Sequence, residues 1–263
     1  MTNALNPFNM GMAQLETLLL VLVRVSSMLA LLPIFSARQV PRRVRFALGL
    51  MLTYVMARLV PIIAPLDLGH LVLAAVSQAF VGMVFGFVAF LVFTGIQFAG
   101  EILDTEVGFA VVNVVNPLTQ QNVTILSEFE LALASIVYLS VDAHHYLIEG
   151  MAGSFSLLPL PYVAVQPALG LDVVTFFTRA LLLVFEIGAP VILSIFVVNI
   201  GLSLMARVAP QLNIFAVGLP LQIFVGLVML IVSMPLLGVV LPQVFAETPR
   251  QLDAVLRNMR PQP

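Results

Sequence analysis

The sequence has no cysteine and no lysine, and little charge of either sign: 9% of its 263 residues are charged. Each shortage excludes something. Without cysteine there are no disulfides, no thiolate metal sites and no palmitoylation, although in a membrane chain this says little about compartment. Without lysine every basic side chain is an arginine, and four of the eleven (Arg38, Arg42, Arg43, Arg45) fall in one short segment. A net charge of −2 is too small to suggest nucleic acid as a partner. Familiar catalytic patterns are missing too: there is no H-E-x-x-H, no G-x-S-x-G and no Walker loop. The first apolar run lacks a basic region before it and is too long and continuous for a cleavable signal peptide.

What is present is hydrocarbon. Hydrophobic residues make up 61% of the chain, against about 45–50% apolar and about 25% charged in a soluble domain. So few charges cannot cover a water-soluble fold of this size. The expected class is therefore an all-α polytopic membrane protein, a single membrane domain over 1–263. A span needs roughly 20 apolar residues to cross about 30 Å of hydrocarbon. Six stretches qualify: about 15–35, 44–65, 71–98, 125–148, 172–205 and 214–242. These are long helices, with kinks or ends expected at Pro33, Pro190, Pro220 and Pro235. Gly82 and Gly86 form a small-xxx-small pair, which permits close helix contact.

Between the third and fourth spans lies a connector, residues 99–124, far longer than the usual four to six or so. It opens on carboxylates (Glu101, Asp104, Glu106) and carries no charge from Val107 to Ser127. Asn116-Pro117 is a turn signal. An uncharged, semi-apolar loop at a membrane is expected to pack against protein. A second irregular stretch, 159–170, joins the fourth and fifth spans.

Charges within the spans are informative. An arginine at mid-span costs about 2.5–3.5 kcal/mol, against gains of about 0.3–0.6 for each large apolar residue. Arg24 is tolerable in its leucine-rich helix, but it is expected to face protein or water. Glu186 and Arg179 lie about 10 Å apart along one helix, so partners on other helices are expected. In the fourth span Glu128, Ser135, Tyr138, Asp142, His145 and Glu149 share an arc of about 100°. Such a stripe is either a proton or ion pathway or a polar seam against another helix. Adjacent histidines point about 100° apart on a helix, so Asp142-Ala-His-His145 is not expected to hold a metal. No cofactor is expected.

Five motifs, in order, carry a resemblance. Arg24 precedes Leu-Leu-Pro33-Ile-Phe-Ser36 and Val40-Pro41-Arg-Arg-Val-Arg45. Gln97-Phe-Ala-Gly100-Glu-Ile-Leu-Asp104 precedes Gly108-Phe109. Asp142-Ala-His-His-Tyr-Leu-Ile148 is followed by Ser154-Phe155. Arg207-Val-Ala-Pro-Gln-Leu-Asn-Ile-Phe215 leads into Gly218-Leu-Pro-Leu221. From about Phe8 to Phe245 the chain resembles the FliR family of flagellar export-gate proteins. It departs from the family's pattern at Asn116, commonly Asp, at Ala143, commonly Gly, and at Gln222, commonly Lys. The virulence-associated homologue shares P-Q-L-N; the G-x-P-L run and the histidine motif favour the flagellar branch. Two other classes fit less well: a secondary transporter, since no repeat of the two halves is visible, and an intramembrane enzyme, since the motif chemistry is missing.

The resemblance implies a structural subunit rather than an enzyme. Its partners would be FliP-like and FliQ-like subunits and an FlhB-like protein, in the bacterial inner membrane at the flagellar basal body. Unfolded flagellar proteins would pass through the shared channel. It implies a FliP-like part over about 1–165, a FliQ-like hairpin over about 170–245 and a polar tail over 246–263. The connector would be the channel plug, about 108–122, with Gly108, Phe109, Val112, Asn113, Asn116, Pro117 and Gln120 in it. Glu101, Asp104 and Glu106 would form the plug's base, either as a hydrated or paired collar or as an attractor of basic export signals. Arg24, Glu128, Asp142, His145 and Glu186 would be the intramembrane polar contacts. The turn with Arg207, Pro210, Gln211 and Asn213 would lie at the base of the gate.

Overall fold

The computed structural model describes residues 11–36, 40–111, 124–161, 168–211 and 213–258. Among the described residues there are eight helices and no strand, as a lipid-facing backbone that must satisfy its own hydrogen bonds requires. They are α1 (Met12–Leu31), α2 (Pro33–Ser36), α3 (Arg42–Met56), α4 (Leu68–Val107), α5 (Ile125–Ser140), α6 (Ala143–Leu157), α7 (Ala168–Val208) and α8 (Ile214–Asn258). Four of them, α1, α4, α7 and α8, are long and apolar enough to cross a membrane. The chain is an all-α polytopic membrane protein.

Two of the six expected spans are shorter than expected. The stretch 44–65 yields only the 15-residue α3. Pro61 and Pro65 follow it, and the residue before a proline is pushed out of helical geometry. The stretch 125–148 breaks into α5 and α6 at Asp142, whose backbone is left-handed at φ 55°. Aspartate tolerates that region better than most residues. Elsewhere helices run further than expected. α4 continues to Val107, so the connector begins after it rather than at residue 99. α7 passes through Pro190, and α8 passes through Pro220 and Pro235 to Asn258. Within the stretch expected as a polar tail, α8 buries Leu252, Val255 and Leu256.

The chain divides into two compact units. One comprises Met1–Leu91, Asp142–Phe176 and Ala246–Pro263; the other comprises Val92–Val141 and Phe177–Phe245. In the first unit, α1 lies directly on α4. A side-chain carbon added at Gly82 would fall 2.1 Å from the Arg24 carbonyl oxygen, and one at Gly86 2.6 Å from that of Met28. Only glycine permits this approach, so the small-residue pair does what its spacing suggests. In the second unit, Leu103, Val107, Leu126, Val191, Ile195 and Leu230 form a buried core. Beside α4, the rings of Phe93, Tyr138 and Phe245 pack together, their centroids 5.1–5.5 Å apart.

Candidate functional site

In the first unit the notable side chain is Arg24, fully buried on α1. Its Nε donates to Gln78 Oε1 of α4 at 2.7 Å, and Nη2 donates to the same oxygen. Nη1 donates to Ser154 Oγ at 3.0 Å and Nη2 to the Leu158 carbonyl at 2.9 Å. The guanidinium also lies 4.2 Å from the centre of the Phe155 ring. Gln78 is itself held, its Nε2 donating to the Pro161 carbonyl at 2.8 Å. Among the described residues no carboxylate pairs with Arg24. The cation is solvated by neutral oxygens and a ring face in place of water. The arginine of the first motif and the Ser-Phe of the fourth thus meet in space.

In the second unit the end of α4 and the start of α5 form a clamp around the connector. Asp104 is 2% exposed. Its two carboxylate oxygens accept the N–H groups of Leu126 at 2.9 Å and Ser127 at 3.2 Å. These are first-turn donors of α5 that no residue of α5 can satisfy, so a carboxylate from another helix caps them. Ser127 Oγ donates to the Gln97 carbonyl at 3.1 Å. Gly100 brings the backbones together: a side-chain carbon there would sit 2.4 Å from Ser127 Cα. After Val107 the chain turns at Gly108, φ 98°, against Leu219. Phe109 packs on the buried core. Val112, Asn113, Asn116, Pro117 and Gln120 lie outside the described residues.

The three carboxylates expected together at the plug base do different things. Asp104 turns inward as the cap. Glu101 accepts from Gln97 Nε2 at 3.1 Å on the surface. Glu106 lines a cavity of about 550 Å3 with Gly108, Val111, Asn199, Phe215 and Gln222. There the Gln222 amide donates to Asn199 Oδ1, a neutral contact.

The polar stripe of the fourth span is not a single face. Glu128 is exposed on α5, whereas Asp142 and His145 are exposed beyond the helix break. The buried line of α5 is instead Leu126, Glu130, Ala134 and Tyr138, at four-residue spacing. Glu130 was not among the expected residues. It is 2% exposed, and among the described residues neither of its oxygens has a hydrogen-bond partner. Its helix is not one of the four candidate spans. Burial, and secondarily the Asp104 charge, pushes its carboxyl up to about 8.

The remaining residues are surface features of the chain. Glu186 is exposed on α7. Arg207, Pro210, Gln211 and Asn213 are exposed at the α7–α8 turn, where Asn213 Oδ1 accepts the Ala216 N–H at 3.3 Å. Beside them Val208 and Phe215 are 86% and 90% exposed. Asp142, His144 and His145 bring ligand atoms within 4.8 Å of one another at the start of α6. That is closer than diverging histidines suggest, but the positive end of a helix disfavours a cation there.

The fold defines a helical membrane protein with a buried, hydrogen-bonded arginine on α1 and a carboxylate of α4 capping the start of α5. The chain belongs to the bacterial export proteins, family 1, whose sequence profile matches residues 15–248. It is 33% identical over 250 residues to the flagellar biosynthetic protein FliR of Bacillus subtilis (strain 168), covering 90% of this chain and 95% of that protein. It is 31% identical to FliR of Escherichia coli (strain K12), covering 86% and 87% of the two chains. FliR of Aquifex aeolicus (strain VF5) is 28% identical, with 89% and 91% covered.

Proposed function

We propose that this membrane-embedded export protein serves flagellar assembly as a structural, non-catalytic subunit of a type III export gate. In this reading it sits in the bacterial inner membrane at the flagellar basal body. It joins FliP-like and FliQ-like subunits, an FlhB-like protein associates with them, and unfolded flagellar proteins cross the shared channel. The connector between α4 and α5 is the plug.

The observation that carries this reading is the Asp104 clamp. The connector leaves α4 three residues after Asp104 and returns to α5 at the two N–H groups that Asp104 holds. Its two ends are thereby fixed at one place. An uncharged loop tethered in this way has no ion pair of its own to break when displaced. Gly108 supplies the turn at its start.

The outer faces of α7 and α8 support a multi-subunit setting. Phe185, Phe196, Val197, Phe224 and Ile231 are all exposed there, with Glu186 among them. Lipid would cover the apolar side chains, but a carboxylate at mid-helix calls for protein or water. Affinity purification in mild detergent tests the assembly. Co-purification with several copies of a FliP-like and a FliQ-like protein is expected; a chain recovered alone from motile cells would contradict it.

A further inference from the structure

The start of α3 breaks a rule of helix electrostatics. A helix N-terminus carries a partial positive charge and favours acidic residues. α3 has no acidic residue in its first turn and no side-chain cap, and it begins Arg42-Arg43-Val44-Arg45. Arg45 Nε is buried without a hydrogen-bond partner, and neither Arg42 nor Arg45 forms an ion pair among the described residues. A buried guanidinium N–H with no acceptor is costly. Among the described residues no acidic side chain neutralises this end of the helix.

A cleft lies beside it. Ser26, Leu22, Leu29 and Ala30 of α1 and Arg42, Arg45, Phe46 and Gly49 of α3 line this half-open cleft of about 210 Å3. One water needs only about 10–15 Å3 of such space. The cleft has two kinds of lining. Arg42 and Arg45 offer donors from the start of α3, while Leu22, Leu29 and Phe46 give an apolar wall and Ser26 lies by Gly49, further along α3. From Ala30 back to Leu22 the wall runs about 12 Å along α1, one of the four helices long and apolar enough to span a membrane.

We propose that this cleft binds an anionic phospholipid, with the phosphate on Arg42 and Arg45 and the first part of an acyl chain along Leu22, Leu29 and Phe46. A free phosphate would satisfy the arginines and leave the apolar wall bare. A neutral lipid would cover the wall and leave the helix end without its counter-charge. An anionic lipid does both, as basic pockets between membrane helices do generally. The inference is independent of the plug reading, since every residue involved belongs to the first unit.

The test uses the full chain purified in detergent, stripped of lipid, and then offered phosphatidylglycerol, phosphatidylcholine or inorganic phosphate, with bound species counted by native mass spectrometry. One phosphatidylglycerol is expected to be retained in preference to phosphatidylcholine and to resist displacement by inorganic phosphate. Arg42→Gln and Arg45→Gln are each expected to weaken that preference about fivefold. Arg43→Gln, an exposed arginine outside the cleft, is expected to leave it unchanged and controls for general charge attraction. Equal retention of the two lipids, or equal losses in all three variants, would overturn the proposal. Displacement by phosphate alone would assign the cleft to a free anion, and exclusion of lipid by a co-purifying protein would assign it to a partner; either outcome overturns the lipid claim.

Discussion

Arg24 and Glu130 face the same difficulty and meet it differently. Both are ionisable side chains inside the chain, 0% and 2% exposed. Arg24 makes four hydrogen bonds and lies on a ring. Among the described residues Glu130 makes none. Burying a charge is costly unless it is paired or neutralised. A guanidinium cannot lose its proton in a protein, so α4 and α6 supply oxygens in place of water. A carboxyl can take a proton, so its surroundings need not. The first solution fixes geometry; the second leaves a group that responds to pH.

The largest effect is expected at Arg24. Arg24→Ala leaves Gln78 and the Leu158 carbonyl buried without their partner and opens a cavity, at a cost of about 3 kcal/mol or more. Arg24→Lys keeps the charge but not the fork that reaches three acceptors, so it recovers only part of the loss. Thermal unfolding in detergent measures both. A midpoint unchanged in either variant would break the contrast drawn above. Next comes the clamp. Gly100→Val forces α4 and α5 apart and is expected to cost about 1–3 kcal/mol. Asp104→Ala removes the shared cap, at about 1–2 kcal/mol, with faster hydrogen exchange at Leu126 and Ser127 as its local signature.

Glu130 gives the most diagnostic effect. Its carboxyl is raised from an ordinary 4.5 to about 8, so the folded chain holds this proton more tightly than the unfolded chain. Stability is then greatest at low pH and declines as pH rises through that interval, levelling off above it. Glu130→Gln, neutral at every pH, is expected to flatten this part of the curve. A variant with the native chain's slope there would show that the slope arises elsewhere.

Much of this was legible in the residues. Composition pointed to the all-α membrane class, Gly82 and Gly86 to a close helix contact without naming α1 as its partner, and the insertion cost of Arg24 to a surrounding of protein or water. The partners themselves were not legible, because Gln78 and Ser154 lie 54 and 130 residues away. Glu130 was missed because the polar residues of its stretch were aligned on a single helix through Asp142. The four-residue series from Leu126 to Tyr138 was the available signal. The break itself depends on one aspartate in a left-handed conformation, with no glycine or proline to mark it. By contrast, Pro61 and Pro65 were available as a signal for the short α3, although the stretch 44–65 was expected to span. The clamp has both kinds of origin: the carboxylate was visible, but its role as a cap for a helix across the connector required the fold.

In the proposed function the connector, tethered at Asp104, closes a protein-wide passage. The most direct test of this closure is ion conductance across membranes carrying the assembled complex, native or with residues 110–120 deleted. Normal assembly and a large rise in small-ion leak are expected for the deletion. An assembled deletion complex as ion-tight as the native one would contradict it.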